Sequence, residues 1–419
     1  MAAIRQSPWA WVPTLYFAQG LPYVAVMTVA VIMYKRLGVG NADIALYTGW
    51  LYLPWVIKPF WSPVVDIVKT KRFWTLAMEI VLAVAFASIA FLLPGPSFFK
   101  TTLAAFWLVG FASATHDIAS DGFYMLALTQ QRQSLFVGIR TTFYRIAMVA
   151  GQGGLVIVAG YIEKTTGDIP AAWATAMGML SAFFVVIAIY HIIVLPRPAA
   201  DRQRRGSFDS DFVKAFDTFF RKPDVGIALA FMLLYRLPEA QLVKLINPFL
   251  LDSPEAGGLG LTTSQVGLTY GTVGVICLMA GGIIGGIVAA RGGLSRWIRP
   301  MAWAMSLTCL AFVYLSYADS PGLLMVNICV AVEQFGYGFG STAYTLYLIY
   351  YALGEYKTSH YAIATGFMAL GMMLPGMGAG WLQEQIGYRW FFIWTMICCA
   401  ATIAVAYRIR VNPSFGRRN

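Results

Sequence analysis

The sequence predicts an all-α polytopic membrane protein with twelve transmembrane helices in two pseudo-symmetric six-helix halves. Of its 419 residues, 59% are hydrophobic and 12% are charged, whereas a typical soluble domain carries about 25% charged residues. Apolar runs of about 20 residues recur along the chain, and each is long enough to cross ~30 Å of hydrocarbon as a helix. Because these runs are long and do not alternate, helices rather than barrel strands are expected to satisfy their backbone groups in lipid.

Twelve spans follow from the apolar runs and the polar turns between them. They are predicted at 9–34, 42–65, 73–94, 101–128, 135–160, 171–195, 225–250, 264–290, 297–317, 323–351, 359–383 and 388–408. All five cysteines fall inside these spans without the spacing of metal ligands, so we interpret them as apolar packing residues. They are Cys277, Cys309, Cys329, Cys398 and Cys399.

The longest polar stretch, PRPAADRQRRGSFDSDF, follows the sixth span and divides the chain near its middle. We therefore predict an N-terminal six-helix half at 1–195, a cytoplasmic linker at 196–223 and a C-terminal six-helix half at 224–419. A weak repeat between the turns after spans two and eight is typical of transporter architecture. In the linker, phenylalanines recur at helical spacing between Phe208 and Phe220. This spacing fits either an amphipathic helix on the membrane surface or a linker helix packed on the bundle.

The net charge of +11 is explained by membrane topology rather than by nucleic-acid binding. With a cytoplasmic N-terminus, twenty lysines and arginines fall in cytoplasmic loops and ends. Five fall on the opposite side, namely Lys35, Arg36, Lys100, Lys164 and Arg389. This bias predicts that both termini are cytoplasmic. No cleavable signal is evident, because Arg5 is followed directly by a long first span.

The fourth predicted span contains two acids, Asp117 and Asp121, in the segment HDIASDGF. A separation of four residues places both on one helix face, about 6 Å apart along the axis. Ionisable groups inside a membrane face the bundle interior or an aqueous cavity, and they commonly mark proton or substrate pathways. A proton-binding or gating role is therefore predicted, with purely structural salt bridges as the alternative. His116 points about 100° away from Asp117 and fits a proton relay or a packing histidine equally well.

Two arginines of the fifth span are predicted as counter-charges of these acids. The turn between spans four and five lies near 129–133, and Asp117 and Arg145 are placed symmetrically about it. Asp121 and Arg140 are symmetric about almost the same point. If the two helices descend and return directly, each aspartate has an arginine at its own depth, although the rotation of the helices is not determined by the sequence.

The seventh span, with YRLPEAQLVKLINPF, contains a further group of charges. Arg236 and Glu239 are three residues apart and are able to pair on one face, while Pro238 is expected to distort the helix. Lys244 has no acid within helical reach. We predict that it contacts an anionic substrate, with snorkelling toward the outer interface as the alternative.

Five segments resemble the AmpG muropeptide permease branch of the major facilitator superfamily, which also includes the acetyl-coenzyme A transporter family. They are QGLPY at 19–23, LPWVIKPFWSPVVD at 53–66, HDIASDGF at 116–123, YRIAMVAGQGG at 144–154 and LLYRLPEA at 233–240. The resemblance covers spans one to seven. This chain departs from it in having His116 where glutamine commonly precedes the first aspartate, and in the turn DIVKTKR, which is looser than the superfamily's Asp-Arg-x-Gly-Arg-Arg form. Its twelve spans also leave no room for the two extra ones that some muropeptide permeases carry.

The resemblance implies a secondary active transporter of the bacterial inner membrane that imports muropeptides or related amino-sugar products of cell-wall recycling together with protons, by alternating access. Asp117, Asp121 and His116 are the predicted proton-coupling residues, with Arg140 and Arg145 as counter-charges. The predicted substrate-binding residues are Lys58, Tyr144, Arg145, Lys244, Gln19, Tyr23 and Glu333, and the predicted gating residues are Asp66, Lys69 and Arg72. The expected partners are a small-molecule substrate, protons and the lipid bilayer, with no nucleic acid, and the expected state is a monomer.

Two kinds of alternative remain open at the level of sequence. Within the same fold, the cargo is a sugar, small peptide, siderophore or acyl-coenzyme A, or the protein is a uniporter or antiporter. The alternative of another class is a polytopic membrane enzyme. The sequence has no clustered histidine and cysteine ligands, nucleotide-binding loop or nucleophile motif, so we predict a transporter without enzymatic activity, metal or cofactor.

Overall fold

The computed structural model of the protein describes residues 7–128, 130–199, 201, 209–354, 357–413 and 415. Within these ranges the regular structure is entirely helical. Ten of the described helices are long and apolar enough to cross a membrane. The lipid-facing character of these helices is evident from large apolar side chains left exposed along them, such as Phe91, Ile283 and Leu324, which are 85%, 61% and 74% exposed.

The first six predicted spans all appear as helical segments. Span 1 is Pro8–Arg36, with a π-helical turn at Ala25–Val29, and span 2 consists of Asn41–Trp50, Leu53–Val56 and Lys58–Val68. Spans 3 and 4 are Lys71–Leu92 and Phe98–Ala127. Span 5 consists of Gln130–Met148, a π-helical turn at Val149–Leu155 and Val156–Thr166, and span 6 is Ile169–Val194.

The other six predicted spans are also helical, and the last two meet at Gly387. Spans 7 to 10 are Val225–Leu251, Thr263–Gly292, Leu294–Tyr317 and Leu323–Ala352. The last helical stretch, Lys357–Arg408, consists of two helices that meet at Gly387, where the backbone is non-helical with φ of 74°. At 1.5 Å per residue, its 52 residues extend for about 78 Å. That length corresponds to two spans joined at Gly387, so the predicted total of twelve agrees with the structure.

Proline residues interrupt two of the spans. Span 2 breaks before Leu53 and again at Ile57, close to Pro54 and Pro59. Span 7 breaks between Leu234 and Leu237, which agrees with the distortion expected from Pro238. Proline lacks the backbone N–H and its ring clashes with the preceding turn, so it is favoured only at the start of a new helical segment.

The chain folds into two compact units. Unit 1 comprises residues 1–38 and 57–207, and unit 2 comprises 39–56 and 208–419. The first part of span 2 therefore belongs to unit 2, whereas its second part, from Ile57, belongs to unit 1. The domain boundaries at 195 and 223 remain predictions from the sequence.

Each unit has its own apolar core. In unit 1, Trp11, Tyr16 and Phe123 belong to a buried cluster. In unit 2 the corresponding cluster contains Phe231 and Tyr344 together with Phe219 of the linker helix Asp209–Phe220. Burial of Phe219 favours a linker helix that packs on the bundle.

Candidate functional site

Close packing between spans 1 and 5 positions one wall of the site in unit 1. A Cβ atom on Gly20 would lie 2.8 Å from the Cβ of Ala147 and 2.9 Å from the carbonyl oxygen of Tyr144. A Cβ on Gly151 would lie 2.4 Å from a methyl carbon of Val24. Glycine at both positions therefore lets the two helices approach each other closely. The Gly-Leu-Pro segment has a physical role here, because it holds span 1 against span 5.

Asp121 of span 4 lies in a cluster with span 1 and span 5. Its Oδ1 atom is 3.1 Å from Nη2 of Arg140 and accepts a hydrogen bond of 2.9 Å from the hydroxyl of Tyr16. The guanidinium of Arg140 also lies 4.5 Å from the ring centre of Tyr16 and 5.1 Å from that of Tyr124. Cation–π contacts of this kind hold an arginine in place independently of its carboxylate partner. Asp121 and Arg140 are one of the two pairs for which the hairpin predicted equal depth.

Asp117 lies one helical turn away and is held by different helices. Its Oδ2 atom is paired with Nζ of Lys58, which begins the last helical segment of span 2. Its Oδ1 atom accepts a hydrogen bond from the side-chain amide of Gln19 on span 1. Both carboxylate oxygens are therefore occupied, one by a cation and one by a neutral donor.

The arginine expected to pair with Asp117 contacts another group. Nη1 of Arg145 lies 3.8 Å from Sδ of Met148, and the described residues show no ion pair between Arg145 and Asp117. Equal depth was satisfied by both arginines, but the rotation of span 5 directs only Arg140 at the acid pair. Lys58, which the sequence assigned to substrate, is the cation next to Asp117.

The four charged side chains of these two pairs are partly exposed. The exposed fractions are 21% for Asp117, 29% for Lys58, 36% for Asp121 and 29% for Arg140. A charged group in contact with acyl chains would lose its hydration, so we expect the exposed parts of these groups to face water rather than lipid. The two acids and two bases balance in charge, so removal of one member leaves a net charge inside the membrane.

Tyr23 and Tyr144 lie beside this cluster, on spans 1 and 5. Their ring centres are 6.4 Å apart. Each ring also carries a hydroxyl group. The pair therefore combines aromatic faces with polar groups, as sugar-binding sites commonly do.

His116 is turned away from the acid pair and is completely buried. Its Nε2 atom is 3.3 Å from Oε1 of Glu79, and the same oxygen lies 2.6 Å from Nδ1 of His191. Neither the spacing of the charges nor the family resemblance predicted that His116 would meet these two residues. The available signal was that two of only three histidines, in spans 4 and 6, accompany a lone acid in span 3.

In unit 2, Lys244 is 1% exposed and its Nζ atom donates a hydrogen bond of 2.8 Å to Oγ1 of Thr48. The same nitrogen lies 5.0 Å from the ring centre of Tyr52. Snorkelling is therefore wrong for this lysine, because its head group is held inside the unit. Glu333 is also 1% exposed, and its Oε2 atom accepts a hydrogen bond of 2.8 Å from Gln334.

The predicted gating residues contact nearby elements of unit 1. Nη2 of Arg72 donates to the carbonyl oxygen of Ile192 at 2.8 Å, and its Nε donates to Leu195 at 3.4 Å. These contacts satisfy carbonyl groups at the C-terminus of span 6, which otherwise lack helical partners. Lys69 lies 5.9 Å from the ring centre of Phe73. The side chain of Asp66 lies outside the described residues.

Two curated relatives align with this chain over most of its length. One is the Putative transporter AmpG 4 of Rickettsia conorii, which is 27% identical over 402 residues, covering 91% of this chain and 92% of the relative. The other is the Anhydromuropeptide permease of Escherichia coli K12, which is 25% identical over 421 residues, covering 97% of this chain and 80% of the relative.

Solved transporter structures share the fold. The nucleoside transporter NupG superposes with a TM-score of 0.70 at 14% identity, covering 98% of this chain and 100% of that chain. The D-xylose-proton symporter superposes with a TM-score of 0.71 at 12% identity, covering 97% and 98%. At these identities the likeness concerns the fold alone.

The family model described as Major Facilitator Superfamily matches residues 14–377, which is most of the chain. The predicted architecture, the curated relatives and the shared fold all agree with this match. The protein is therefore a multi-pass membrane transporter, and the chain belongs to the Major Facilitator Superfamily.

Proposed function

We propose that the protein is a proton-coupled importer of anhydromuropeptides or related amino-sugar products of cell-wall recycling. The names and the 25–27% identity of the curated relatives support this class of cargo. The observation that carries the proposal is the pair of acid–base clusters on one face of span 4. Asp117 with Lys58 and Asp121 with Arg140 are adjacent, charge-balanced and partly exposed.

Proton binding at these clusters changes which cations are free to bind an anion. When a carboxylate in a cluster takes up a proton, its lysine or arginine loses its counter-charge, and an unpaired cation inside a membrane is costly. An anionic substrate removes that cost by taking the place of the carboxylate. Proton binding and substrate binding therefore favour each other, which is the reciprocal coupling that a symporter needs.

The two clusters have different roles in this mechanism. Arg140 stays in place over Tyr16 and Tyr124 after Asp121 is protonated, so Asp121 is proposed as the proton carrier. Lys58 is proposed to exchange Asp117 for a carboxylate of the peptide part of the substrate. Asp117 is proposed to take up the proton that releases Lys58.

Further contacts are proposed for the rest of the cargo. Gln19, Tyr23 and Tyr144 offer an amide, hydroxyls and aromatic faces to the sugar rings, and Arg145 offers a second cation in unit 1. Lys244 is proposed as an anion-binding residue of unit 2, and Glu333 as an acceptor for hydroxyl or amide groups. His116 keeps its proposed role in proton coupling, and Asp66, Lys69 and Arg72 keep their proposed role in gating.

Uptake by proteoliposomes tests the proposal. Vesicles with the wild-type protein are given a radiolabelled anhydromuropeptide and an internal pH indicator, with and without an imposed pH gradient. We expect substrate uptake to acidify the interior. Asp121→Asn is expected to abolish acidification and accumulation against a gradient while retaining exchange of labelled for unlabelled substrate. Asp43→Asn, at an exposed position of the first helical segment of span 2, is the matched control.

The same vesicles separate the alternatives. Normal acidification by Asp121→Asn would contradict the proton role, and uptake that never acidifies the interior would indicate a uniporter or another coupling ion. Competition by a free sugar, small peptide, siderophore or acyl-coenzyme A, but not by the muropeptide, would contradict the cargo. The transported compound is expected to be recovered chemically unchanged, since an altered product would indicate an enzyme.

Cellular location and assembly complete the proposal. We propose a monomer in the bacterial inner membrane with both termini in the cytoplasm, because basic residues are concentrated in one set of loops. Reporter fusions at each terminus test the orientation. Both fusions are expected to be active only with a reporter that works in the cytoplasm, and opposite results at the two ends would contradict it.

A further inference from the structure

Three titratable side chains in unit 1 form a fully buried cluster, and the proposed symport mechanism gives a role to only one of them, His116. Glu79 of span 3, His116 of span 4 and His191 of span 6 are each 0% exposed. The side chains of the acid pair on span 4, in contrast, are 21% and 36% exposed. We call these three residues the Glu79 cluster.

Both histidines of the Glu79 cluster contact the same carboxylate oxygen of Glu79. Oε1 of Glu79 lies 2.6 Å from Nδ1 of His191 and 3.3 Å from Nε2 of His116. Oε2 of the same carboxyl group is buried and has no hydrogen-bond partner. A buried carboxylate with one bare oxygen is costly, so a proton that neutralises its charge is stabilising.

The cluster continues to span 1 through a hydroxyl group. Nε2 of His191 lies 2.9 Å from Oγ1 of Thr14, and this oxygen lies 3.2 Å from the carbonyl oxygen of Trp11. A hydroxyl has only one hydrogen to donate. If Thr14 donates it to Trp11, then Nε2 of His191 donates to Thr14, and a second hydrogen must lie between Nδ1 of His191 and Oε1 of Glu79, bonded to one atom or the other. The hydroxyl therefore allows a protonated imidazole without loss of a hydrogen bond.

Charge balance in the cluster requires one proton beyond two neutral imidazoles and a carboxylate. Without it, the carboxylate would be a net charge in a place that water does not reach, and such a charge costs several kcal/mol. With it, the cluster is neutral whether the proton lies on Glu79 or on an imidazole. A second extra proton would make the buried cluster positive, so a single one is favoured.

Other titratable groups on the helices packed against span 3 have contacts of their own. Asp117 pairs with Lys58, and Asp121 pairs with Arg140. The hydroxyl of Tyr190 donates to the carbonyl oxygen of Ala10. At the start of span 3, the side chain of Lys71 lies against Gly122 of span 4, two helical turns from Glu79, and the side chain of Asp66 lies outside the described residues. The titratable side chains in contact with Glu79 are those of His191 and His116.

We propose that Glu79, His116 and His191 form a second proton-binding site of unit 1, separate from the Asp117 and Asp121 pair, and that it holds one proton shielded from water in this conformation. His116 directly precedes Asp117 on span 4, and Ser120, whose hydroxyl lies 3.4 Å from Nδ1 of His116, directly precedes Asp121. The site is therefore attached to the same helix as the acid pair. The inference that the Glu79 cluster holds a proton depends only on this geometry. The inference that the cluster takes part in transport rests on the proposed function.

Spectroscopy of the wild-type protein tests the occupancy. The chain has three histidines, so ¹⁵N-histidine labelling gives three imidazole signals, and His360→Gln in unit 2 assigns the third. At about pH 8, where an ordinary imidazole is neutral, we expect either an imidazolium signal from His116 or His191, or an infrared band of a protonated carboxyl group that disappears in Glu79→Gln. Two neutral imidazoles together with no such band would overturn the proposal. An imidazolium signal in the wild-type protein is sufficient by itself, even if Glu79→Gln does not fold. If there is no imidazolium signal and Glu79→Gln does not fold, Glu79→Asp is used instead, and a shift of the infrared band in this variant assigns the band to residue 79.

Transport measurements test whether the site takes part in the cycle. Glu79→Gln is compared with Glu163→Gln, which changes another buried acid of unit 1 whose two oxygens are bonded to Trp173 and Arg36. We expect Glu79→Gln to shift the pH profile of uptake and to lower the number of protons moved per substrate, with Glu163→Gln unchanged in both. A wild-type profile in Glu79→Gln would refute the part in transport. If no variant, including wild type, acidifies the vesicles, the proposed symport fails instead, and the spectroscopic result stands apart from it.

Discussion

Replacement of Gly380 by alanine tests how the first part of span 2 is held within unit 2. A Cβ atom at this position would lie 2.0 Å from the carbonyl oxygen of Asn41, 2.5 Å from its carbonyl carbon and 2.8 Å from Cα of Ala42. These are backbone atoms, which cannot rotate out of the way. Gly380→Ala therefore requires the helix Asn41–Trp50 to move away from the helix that contains Gly380.

The magnitude follows from the contacts that such a movement disturbs. Insertion of a methyl group into a packed interface costs about 1–3 kcal/mol. The side-chain amide of Asn41 also donates to Gln383 at 2.7 Å and to the hydroxyl of Tyr388 at 2.9 Å, and loss of each bond costs about 0.5–1.5 kcal/mol. The sum is about 2–6 kcal/mol. For a unit of this size, that corresponds to a fall in melting temperature of about 5 °C or more.

Thermal unfolding in one detergent, followed by tryptophan fluorescence, measures the effect. The matched control is Gly378→Ala on the same helix, since a Cβ there would have no atom within 4 Å. This control is expected to leave the melting temperature unchanged or to raise it slightly, because alanine favours a helix over glycine by about 1 kcal/mol. Equal melting temperatures for the two variants would refute the close contact between Gly380 and Asn41.

Three further changes have expected outcomes. Lys58→Met should destabilise the protein more than the double change Lys58→Met with Asp117→Asn, because the single change leaves the carboxylate without its lysine. A double-mutant cycle of thermal unfolding should give a coupling free energy of about 1–3 kcal/mol. Strictly additive effects of the two changes would contradict this prediction. Trp173→Phe should cost about 1–3 kcal/mol, since it removes the 2.8 Å hydrogen bond from the indole to Glu163, and an unchanged unfolding midpoint would show that this bond adds nothing. Thr262→Ala should lower the free energy of unfolding by about 1 kcal/mol, because it removes the capping box at the start of span 8. Amide hydrogen exchange in that turn should become faster, whereas the control Thr262→Ser should stay close to wild type. Equal exchange rates in the two variants would argue against the cap.

Hydropathy alone placed the membrane spans close to their positions in the structure. The third span was predicted at 73–94 and is Lys71–Leu92, and the seventh was predicted at 225–250 and is Val225–Leu251. Lipid supplies no hydrogen-bond partners and has a fixed thickness, so helix formation and helix length depend on local sequence. The prediction also divided spans 11 and 12 at residues 384–387, where the non-helical Gly387 lies, but it did not show that span 2 breaks near two prolines.

The partners of the interior charges were predicted only in part. The hairpin between spans 4 and 5 gave Asp121 and Arg140 equal depth, and the structure pairs them. It gave Asp117 and Arg145 equal depth as well, but in the structure Asp117 forms its ion pair with Lys58 of span 2 instead. Nothing in the local sequence placed His191 beside Glu79, because spans 4 and 5 lie between those residues along the chain.

The sequence by itself determined that this protein crosses the membrane as helices, and it identified the acids and bases that lie inside. Only the tertiary structure decided which of them meet, which are reached by water and which are sealed in a core. The physical reason is that each residue along a helix turns the side chain by about 100°. Depth in the membrane can be counted along the chain, whereas the direction of a side chain depends on how distant helices pack around it.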